Sequence, residues 1–492
     1  MYNVGKKIVI LMIFLQYYNM SFAQSQPVVT RWIHPQNLPK PTHTPLKIMT
    51  PPKFERVDLP LPPNNIISPP ANQGRICIVV EWAILYGIQA ALTQYQQDLA
   101  QLGYTSVVYT SVGSAENLRS HLAQLYAESQ SLVGAILIGN LPYITFEIMD
   151  DFGSGSREYD DFPCDIFYMD LNGTWTDTLN DGQVQSNNGK YDTHSGNVGL
   201  EIWVARIKTD TLTALGGTGA TLINTYFNKN HRFRIGTLAP AKNGLVYNDD
   251  DWQSAGNADG INLQRIYDTG NVTRIFDSEI TTATDYKQNR LTQLFEMMAI
   301  RSHGWTGGHG FYQNEKTVFD YIYPNDYTRL DPQALFYSLF VCSGSDYTAE
   351  DYLAGTVAFN PDNSGLVVWG STKTGGMFID DKFYETLALP KSIGEAFKIW
   401  FNTVQSIYSN NQSFVVSWWY GMVIIGDGSL KLCQTGDLDC NGSFNIFDLQ
   451  RLINCIFSKG SCANGDLNGD GQYNIFDVQQ LVNKIFKPSS EN

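Results

Sequence analysis

The chain has 492 residues, 43% of them hydrophobic and 13% aromatic, ample for more than one buried core. Its formal charge of −15 weighs against nucleic acid or an anionic membrane as a partner and fits calcium better. Of the seven cysteines, Cys77, Cys164 and Cys342 are scattered, while Cys433, Cys440, Cys455 and Cys462 crowd the C-terminal end. Four close cysteines in an exported small domain predict two disulfides, with three connectivities open.

At the start, Lys6 and Lys7 precede the apolar run 8–15, and Ser21-Phe22-Ala23 places small residues before a cut. Residues 1–23 read as a secretory signal peptide, since the run is too short to span a bilayer. No later stretch is long and apolar enough for a membrane span. Residues 24–73 hold 12 of the 20 prolines, including Pro51-Pro52, Pro62-Pro63 and Pro69-Pro70. Such a segment favours extended, polyproline-like backbone without a core, either as a linker or as a pro-segment laid across the folded part of the chain.

From residue 76 strands and helices alternate. The patterns predict strands at 76–80, 106–110, 134–139 and 201–207, with helices at 83–103, 115–129 and about 211–228. The theme restarts with strands at 244–247 and 272–276 and helices near 261–267 and 285–294. Two short bulky runs come after them, Met297-Met298-Ala299-Ile300 before Arg301-Ser302-His303-Gly304, and 334–341 ending on Cys342; the strand 365–369 is next. This alternation implies crossover connections and an α/β fold with mostly parallel sheets. The restart divides residues 74–430 into adjacent subdomains of about 74–240 and 241–430.

A histidine-glycine at the end of one core strand and a cysteine at the end of the next bring imidazole and thiol to the carboxyl edge of a parallel sheet, where open α/β sheets keep their sites. The imidazole of His303 can stabilise the thiolate of Cys342 for attack on a peptide carbonyl and then protonate the leaving amine. The backbone N–H groups of Gly304 and Cys342 are candidate oxyanion donors, and a missing Cβ at Gly304 lets a substrate backbone approach. Against this stands the ordinary fate of a strand-end cysteine, burial in a core. His309 offers a rival zinc site with His303 and Cys342, but two histidines six apart on a Gly-rich loop match no standard zinc spacing.

The strand–His–Gly and strand–Cys stretches resemble the gingipain family of the caspase-like clan of cysteine peptidases. Further stretches carry the resemblance: 136–140, 165–173, 201–207, Ser392-Ile393-Gly394-Glu395-Ala396 and Tyr420 to Asp427, so that it covers roughly 75–430. It implies paired α/β subdomains and the His303–Cys342 dyad. It also implies an acidic residue near the histidine, where this chain has Asn140, and places the family's acidic residue for a basic side chain on Asp165, giving cleavage after Arg or Lys.

Residues 437–448 return 29 residues later as 466–477, each followed by an amphipathic helix. A calcium loop needs oxygen ligands at positions 1, 3, 5 and 12 and a glycine at 6. Asp437, Asp439, Asn441 and Asp448 fill these positions in the first copy and Asp466, Asn468, Asp470 and Asp477 in the second, with Gly442 and Gly471 at the turn. The tandem, with aspartate at position 12 and one helix per loop, resembles a small all-α dockerin domain over 433–487. That resemblance implies a cohesin module as partner, met through a face that carries Ile446-Phe447 and Ile475-Phe476; a calcium-stabilised stalk without a partner is the alternative.

The whole reads as a secreted bacterial cysteine endopeptidase, extracellular or at the cell surface, acting on protein or peptide and tethered by a calcium-binding dockerin-like module. A dockerin-borne glycoside hydrolase in polysaccharide breakdown, or a non-catalytic scaffold or adhesion protein that keeps the peptidase fold, are the rival classes. No convincing carboxylate pair at the sheet-edge motifs favours the hydrolase.

Overall fold

The structure, a computed structural model, describes residues 29–45, 51–60, 72–129, 131–150, 157–238, 242–313, 316–374, 380–408, 419–432, 434–438, 444–458, 464–468 and 472–486. The expected signal peptide, and Cys433, Cys440 and Cys462 of the disulfide expectation, lie outside the described residues. Among the described residues no helix is long and apolar enough to cross a membrane.

Eighteen strands are described: β1 (Lys53–Val57), β2 (Gly74–Glu81), β3 (Tyr104–Val112), β4 (Leu132–Ile138), β5 (Thr145–Asp150), β6 (Glu158–Pro163), β7 (Thr174–Thr176), β8 (Thr193–Ser195) and β9 (Trp203–Ile207). Then come β10 (Gly244–Asn248), β11 (Val272–Ile275), β12 (Met297–Arg301), β13 (His303–Trp305), β14 (Gly308–Gln313), β15 (Val318–Ile322), β16 (Phe336–Phe340), β17 (Val367–Ser371) and β18 (Met422–Gly426). Eleven of them form one sheet in the order β1-β3-β2-β4-β9-β18-β17-β16-β12-β10-β11. Neighbours run parallel except β1 with β3 and β17 with β18.

The central strands are continuous apolar runs because helices cover both faces of a parallel sheet. β9, β12, β16, β17 and β18 are buried along their whole length. Helix Leu85–Gln101 turns Ile88, Leu92, Tyr95 and Leu99 inward, one stripe at helical spacing. Where the sheet is most crowded, glycine is required: a Cβ on Gly134 would stand 2.1 Å from the Trp203 indole.

The halves on either side of residue 240 share this one sheet, and the last strand, β18, is what joins them. It pairs with β9 of the first half and β17 of the second. Asp427, directly after β18, is buried and accepts hydrogen bonds from Tyr95 Oη (2.8 Å), Asn230 Nδ2 (2.8 Å) and Arg234 Nη2 (2.6 Å). The chain's late return is thereby tied to helices Leu85–Gln101 and Gly219–Arg234.

The helix predicted from about Thr211 starts only at Gly219. Gly216 (φ 68°) and Gly217 (φ 84°) hold left-handed backbone that a helix cannot continue through, and Thr218 accepts from Thr221 N–H to begin the helix. The helix predicted over 285–294 is reduced to short turns over 283–290. The hairpin β5–β6 and the small sheet β13-β14-β15 have no counterpart among the predicted elements.

Candidate active site

β12 and β16 are parallel neighbours in register, Arg301 opposite Phe340, and Ser302 N–H donates to Phe340 O at 3.1 Å. His303 and Cys342 each stand two residues beyond that matched pair, so both leave the sheet at the same edge. Arg301 anchors the edge through buried ion pairs with Asp259 (2.6 Å) and Asp380 (3.1 Å). After Cys342 the backbone turns sharply, with Ser343 at φ 53°, a left-handed conformation unusual for a residue with a Cβ.

His303 is buried against Trp252, whose ring centre lies 4.7 Å away, with Tyr312 and Phe319 edge-on. Its Nδ1 accepts the backbone N–H of Arg31 at 2.8 Å, and its Nε2 faces Asp251 Oδ2 at 2.8 Å. A backbone N–H can only donate, so the ring proton sits on Nε2 and points at Asp251. Burial holds the imidazole below its ordinary pKa; the Asp251 bond opposes this and the Arg31 charge adds to it. Asp251 is held well below the usual carboxylate range by its bonds to His303 and Lys316, against its burial.

Asp251 was not among the residues singled out from sequence. Its signal is the run Asp249-Asp250-Asp251 directly after a buried strand, and β10 pairs with β12 in parallel, its last residue Asn248 opposite Arg301. Asn140, where the gingipain resemblance expects an acid near the histidine, accepts instead from Lys208 Nζ at 3.1 Å and donates its N–H to Glu81 at 2.7 Å.

The Cys342 thiol is buried, 3.2 Å from Thr374 Oγ1 and 3.8 Å from Ser343 Oγ. Burial pushes its pKa up, partly offset by the charge of Lys40 and by Thr374. Both shifts favour the uncharged forms, thiol and imidazole. Cys77 and Cys164 are buried core thiols, Cys77 pushed up to about 12 by burial. His309 turns into the core, 2.9 Å from Tyr327 Oη and 3.1 Å from Ser302 Oγ, and burial lowers its pKa to about 3.

Gly304 packs where a Cβ would stand 2.4 Å from Val341 Cγ1 and 2.6 Å from the Gly308 carbonyl. Close packing of the protein on itself already demands glycine here. Its N–H donates to Arg31 O (3.2 Å), and its carbonyl accepts from Ile33 N–H (3.0 Å).

Asp165 does not open onto this edge. It is 1% exposed and receives Arg206 on both oxygens, at 2.6 and 2.7 Å, with Tyr347 Oη at 2.9 Å. A carboxylate so engaged has no oxygen to offer a basic side chain. The acid beside the thiol is Asp160 on β6. Its Oδ2 accepts from Thr374 N–H at 3.2 Å, the residue whose hydroxyl touches Cys342, and its Oδ1 pairs with Lys40. Next to it, Asp161 binds His43 Nδ1 at 2.9 Å and also pairs with Lys190, while His43 Nε2 meets Asp346 at 2.9 Å.

In the C-terminal repeat, Asp439, Asn441 and Asp470, with Gly442 and Gly471, lie outside the described residues. Among the described residues no group of three or more His, Cys, Asp or Glu converges on a point. The remaining candidates fit a calcium loop in one respect. Asp448 is fully buried and accepts N–H bonds from Leu438 (2.8 Å) and Asn445 (2.9 Å); Asp477, equally buried, accepts from Leu467 (2.8 Å) and Asn474 (2.9 Å). Each position-12 carboxylate thus ties its loop to positions 2 and 9 in the same way. Asp437 is buried as well, and an all-oxygen Asp and Asn set suits a hard cation. Helices Ile446–Ser458 and Ile475–Phe486 enclose a small core of Leu438, Leu452 and Leu481. Ile446, Phe447, Ile475 and Phe476 are exposed.

Residues 435–486 match the family model of the dockerin type I domain, and this part of the chain is a dockerin type I domain. No curated protein matches the chain. A solved structure titled "Structure of Protease" is similar at 11% identity and a TM-score of 0.49, over 73% of this chain and 79% of that one. A likeness that loose carries no activity across.

Proposed function

We propose that the protein is a secreted cysteine peptidase that cleaves after basic residues, with Cys342 as nucleophile and His303 as acid–base. The observation that carries this reading is the in-register pairing of β12 and β16, which ends histidine and cysteine at one sheet edge with Asp251 on Nε2 of the imidazole. Asp251 is the orienting carboxylate: with the Nε2 proton turned to it, Nδ1 is left to exchange a proton with the reaction.

The Cys342 thiol passes its proton to His303, and Sγ bonds to the substrate carbonyl carbon. As the C–N bond breaks, His303 returns the proton to the leaving nitrogen; water then hydrolyses the thioester, yielding the carboxylate and the free thiol. Gly304 N–H is a donor for the oxyanion. Asp160, one residue removed from the thiol through Thr374, takes the place first given to Asp165 as the base of the pocket for a Lys or Arg side chain.

The dockerin domain would hold calcium through Asp437, Asp439, Asn441 and Asp448 and through Asp466, Asn468, Asp470 and Asp477, which closes its two loops. It would tether the enzyme to a cohesin module, with the exposed pairs Ile446-Phe447 and Ile475-Phe476 as the apolar part of the face.

The test is turnover of fluorogenic peptides ending in Lys or Arg by the purified protein after limited proteolysis, beside Cys342→Ala. Cleavage abolished by the substitution is the expected result. Equal turnover in both proteins, or none in either, would overturn the assignment.

A further inference from the structure

Resting on that reading, we propose that residues 31–43 are a blocking strap built into the chain, with Lys40 as an uncleaved mimic of a substrate side chain. The strap engages the groups a peptide would need. The Arg31 N–H sits on His303 Nδ1 at 2.8 Å, the lone pair required for proton transfer, and the Arg31 carbonyl takes the Gly304 N–H. Trp32 forms a one-residue parallel bridge with Gly304, as an added strand does at a sheet edge. The Arg31 side chain reaches Tyr312 and Asp251.

The strap is held in this shape by bonds of its own. Asn37 N–H closes a turn onto His34 O at 2.8 Å, with Pro35 at the second position, and Trp32 Nε1–H donates to Leu38 O at 2.8 Å. The turn delivers Lys40, the one lysine or arginine between Arg31 and His43, to Asp160. Burial lowers the Lys40 pKa, but the charges of Asp160 and Asp346 prevail and raise it, so the ammonium is charged in place. His43 is then gripped by Asp161 and Asp346. Further on, Pro52 packs on Gly113 and β1 pairs with β3 as the outermost strand of the main sheet. An occupant tethered in this way competes at high effective concentration.

Its sequence also explains why the strap would persist. Lys40 stands between Pro39 and Pro41. The nitrogen after Lys40 therefore belongs to a ring with fixed φ and no N–H, and the proline restricts the backbone of Lys40 itself. A basic residue in the pocket is presented ahead of a bond poorly suited to attack.

The experiment compares the full chain with the double variant Arg31→Pro/Lys40→Ala, reading iodoacetamide alkylation of Cys342 by mass spectrometry together with turnover of a lysyl peptide. Alkylation is expected to be roughly tenfold or more faster in the variant. Loss of the Lys40 charge alone would slow it, so acceleration reports access. A synthetic 29–45 peptide added to the variant should restore protection, and a scrambled peptide should not, which also shows that the variant is folded. Faster alkylation with turnover supports strap and peptidase together; faster alkylation without turnover supports the strap and overturns the peptidase. Unchanged alkylation overturns the strap and makes the segment a linker packed on the surface. In Pro41→Ala the chain should be cut after residue 40, and not in Pro41→Ala/Cys342→Ala; an intact Pro41→Ala chain would overturn the part given to Lys40 and Pro41.

Discussion

Asp165, Asp160 and Asp251 are three aspartates with three different surroundings, and each surrounding prescribes a different outcome of substitution. Asp165→Ala strands the buried Arg206 guanidinium, a loss of about 3–5 kcal/mol in stability, and should leave the preference for basic residues untouched. Asp160→Asn removes a charge-assisted contact, so once the strap is removed by limited proteolysis kcat/KM for Lys and Arg peptides should fall roughly tenfold to hundredfold. Comparing melting curves with substrate profiles for this pair separates the two assignments; a lost basic preference in Asp165→Ala at unchanged stability would reverse them. Asp251→Asn should lower kcat roughly tenfold or more with KM nearly unchanged, because it alters the orientation and proton affinity of His303 and not the pocket. A rise in KM alone would place Asp251 in binding instead.

Among the elements, the strap 31–43 carries a charge switch at His43. Burial lowers its pKa, but the bonds to Asp161 and Asp346 prevail and raise it from 6.5 to about 9. A pKa raised on docking means that the clamp is complete below about pH 6.5 and is lost as pH rises through about 9. The facing carboxylates act at the other end: Asp161, held at about 2 by His43 and Lys190 against its burial, loses its contribution only as pH falls through that value. Hydrogen exchange of residues 31–43, corrected for the intrinsic rate, should show protection falling between about pH 8 and 10 in the wild type. In His43→Gln that step should vanish; a step of the same size in the variant would assign it to another group.

At the scale of the molecule, the dockerin domain sits directly on the α/β part. Arg451 on helix Ile446–Ser458 donates to the Ile235 carbonyl at 3.0 Å, just past the end of helix Gly219–Arg234, where a cation is favoured. Its own core is three buried leucines with partly buried neighbours, too small to stand well without metal. Calcium at about a hundred times its dissociation constant would add about 2.7 kcal/mol. Chelation should therefore lower a dockerin melting transition in calorimetry and leave that of the main sheet in place, and Asp448→Ala with Asp477→Ala should reproduce the loss. A dockerin transition indifferent to chelator would remove calcium from the account.

Much of this architecture was legible along the chain. The strands and helices of the parallel sheet announce themselves through apolar runs and helical stripes, because their burial is a local pattern; the spacing of the tandem loops is local as well and reads as two calcium loops, and it is their resemblance to a known family that implied the dockerin type I domain. His303 and Cys342 were visible because each ends such a run. What only the tertiary structure decided are pairings between residues far apart in sequence: β18 closing the two halves into one sheet, Asp251 on His303, Asp165 consumed by Arg206, and Lys40 on Asp160. No periodicity links these partners. A carboxylate's role depends on which cation reaches it, and that is settled when strand order and the path of the proline-rich segment bring them within hydrogen-bond distance.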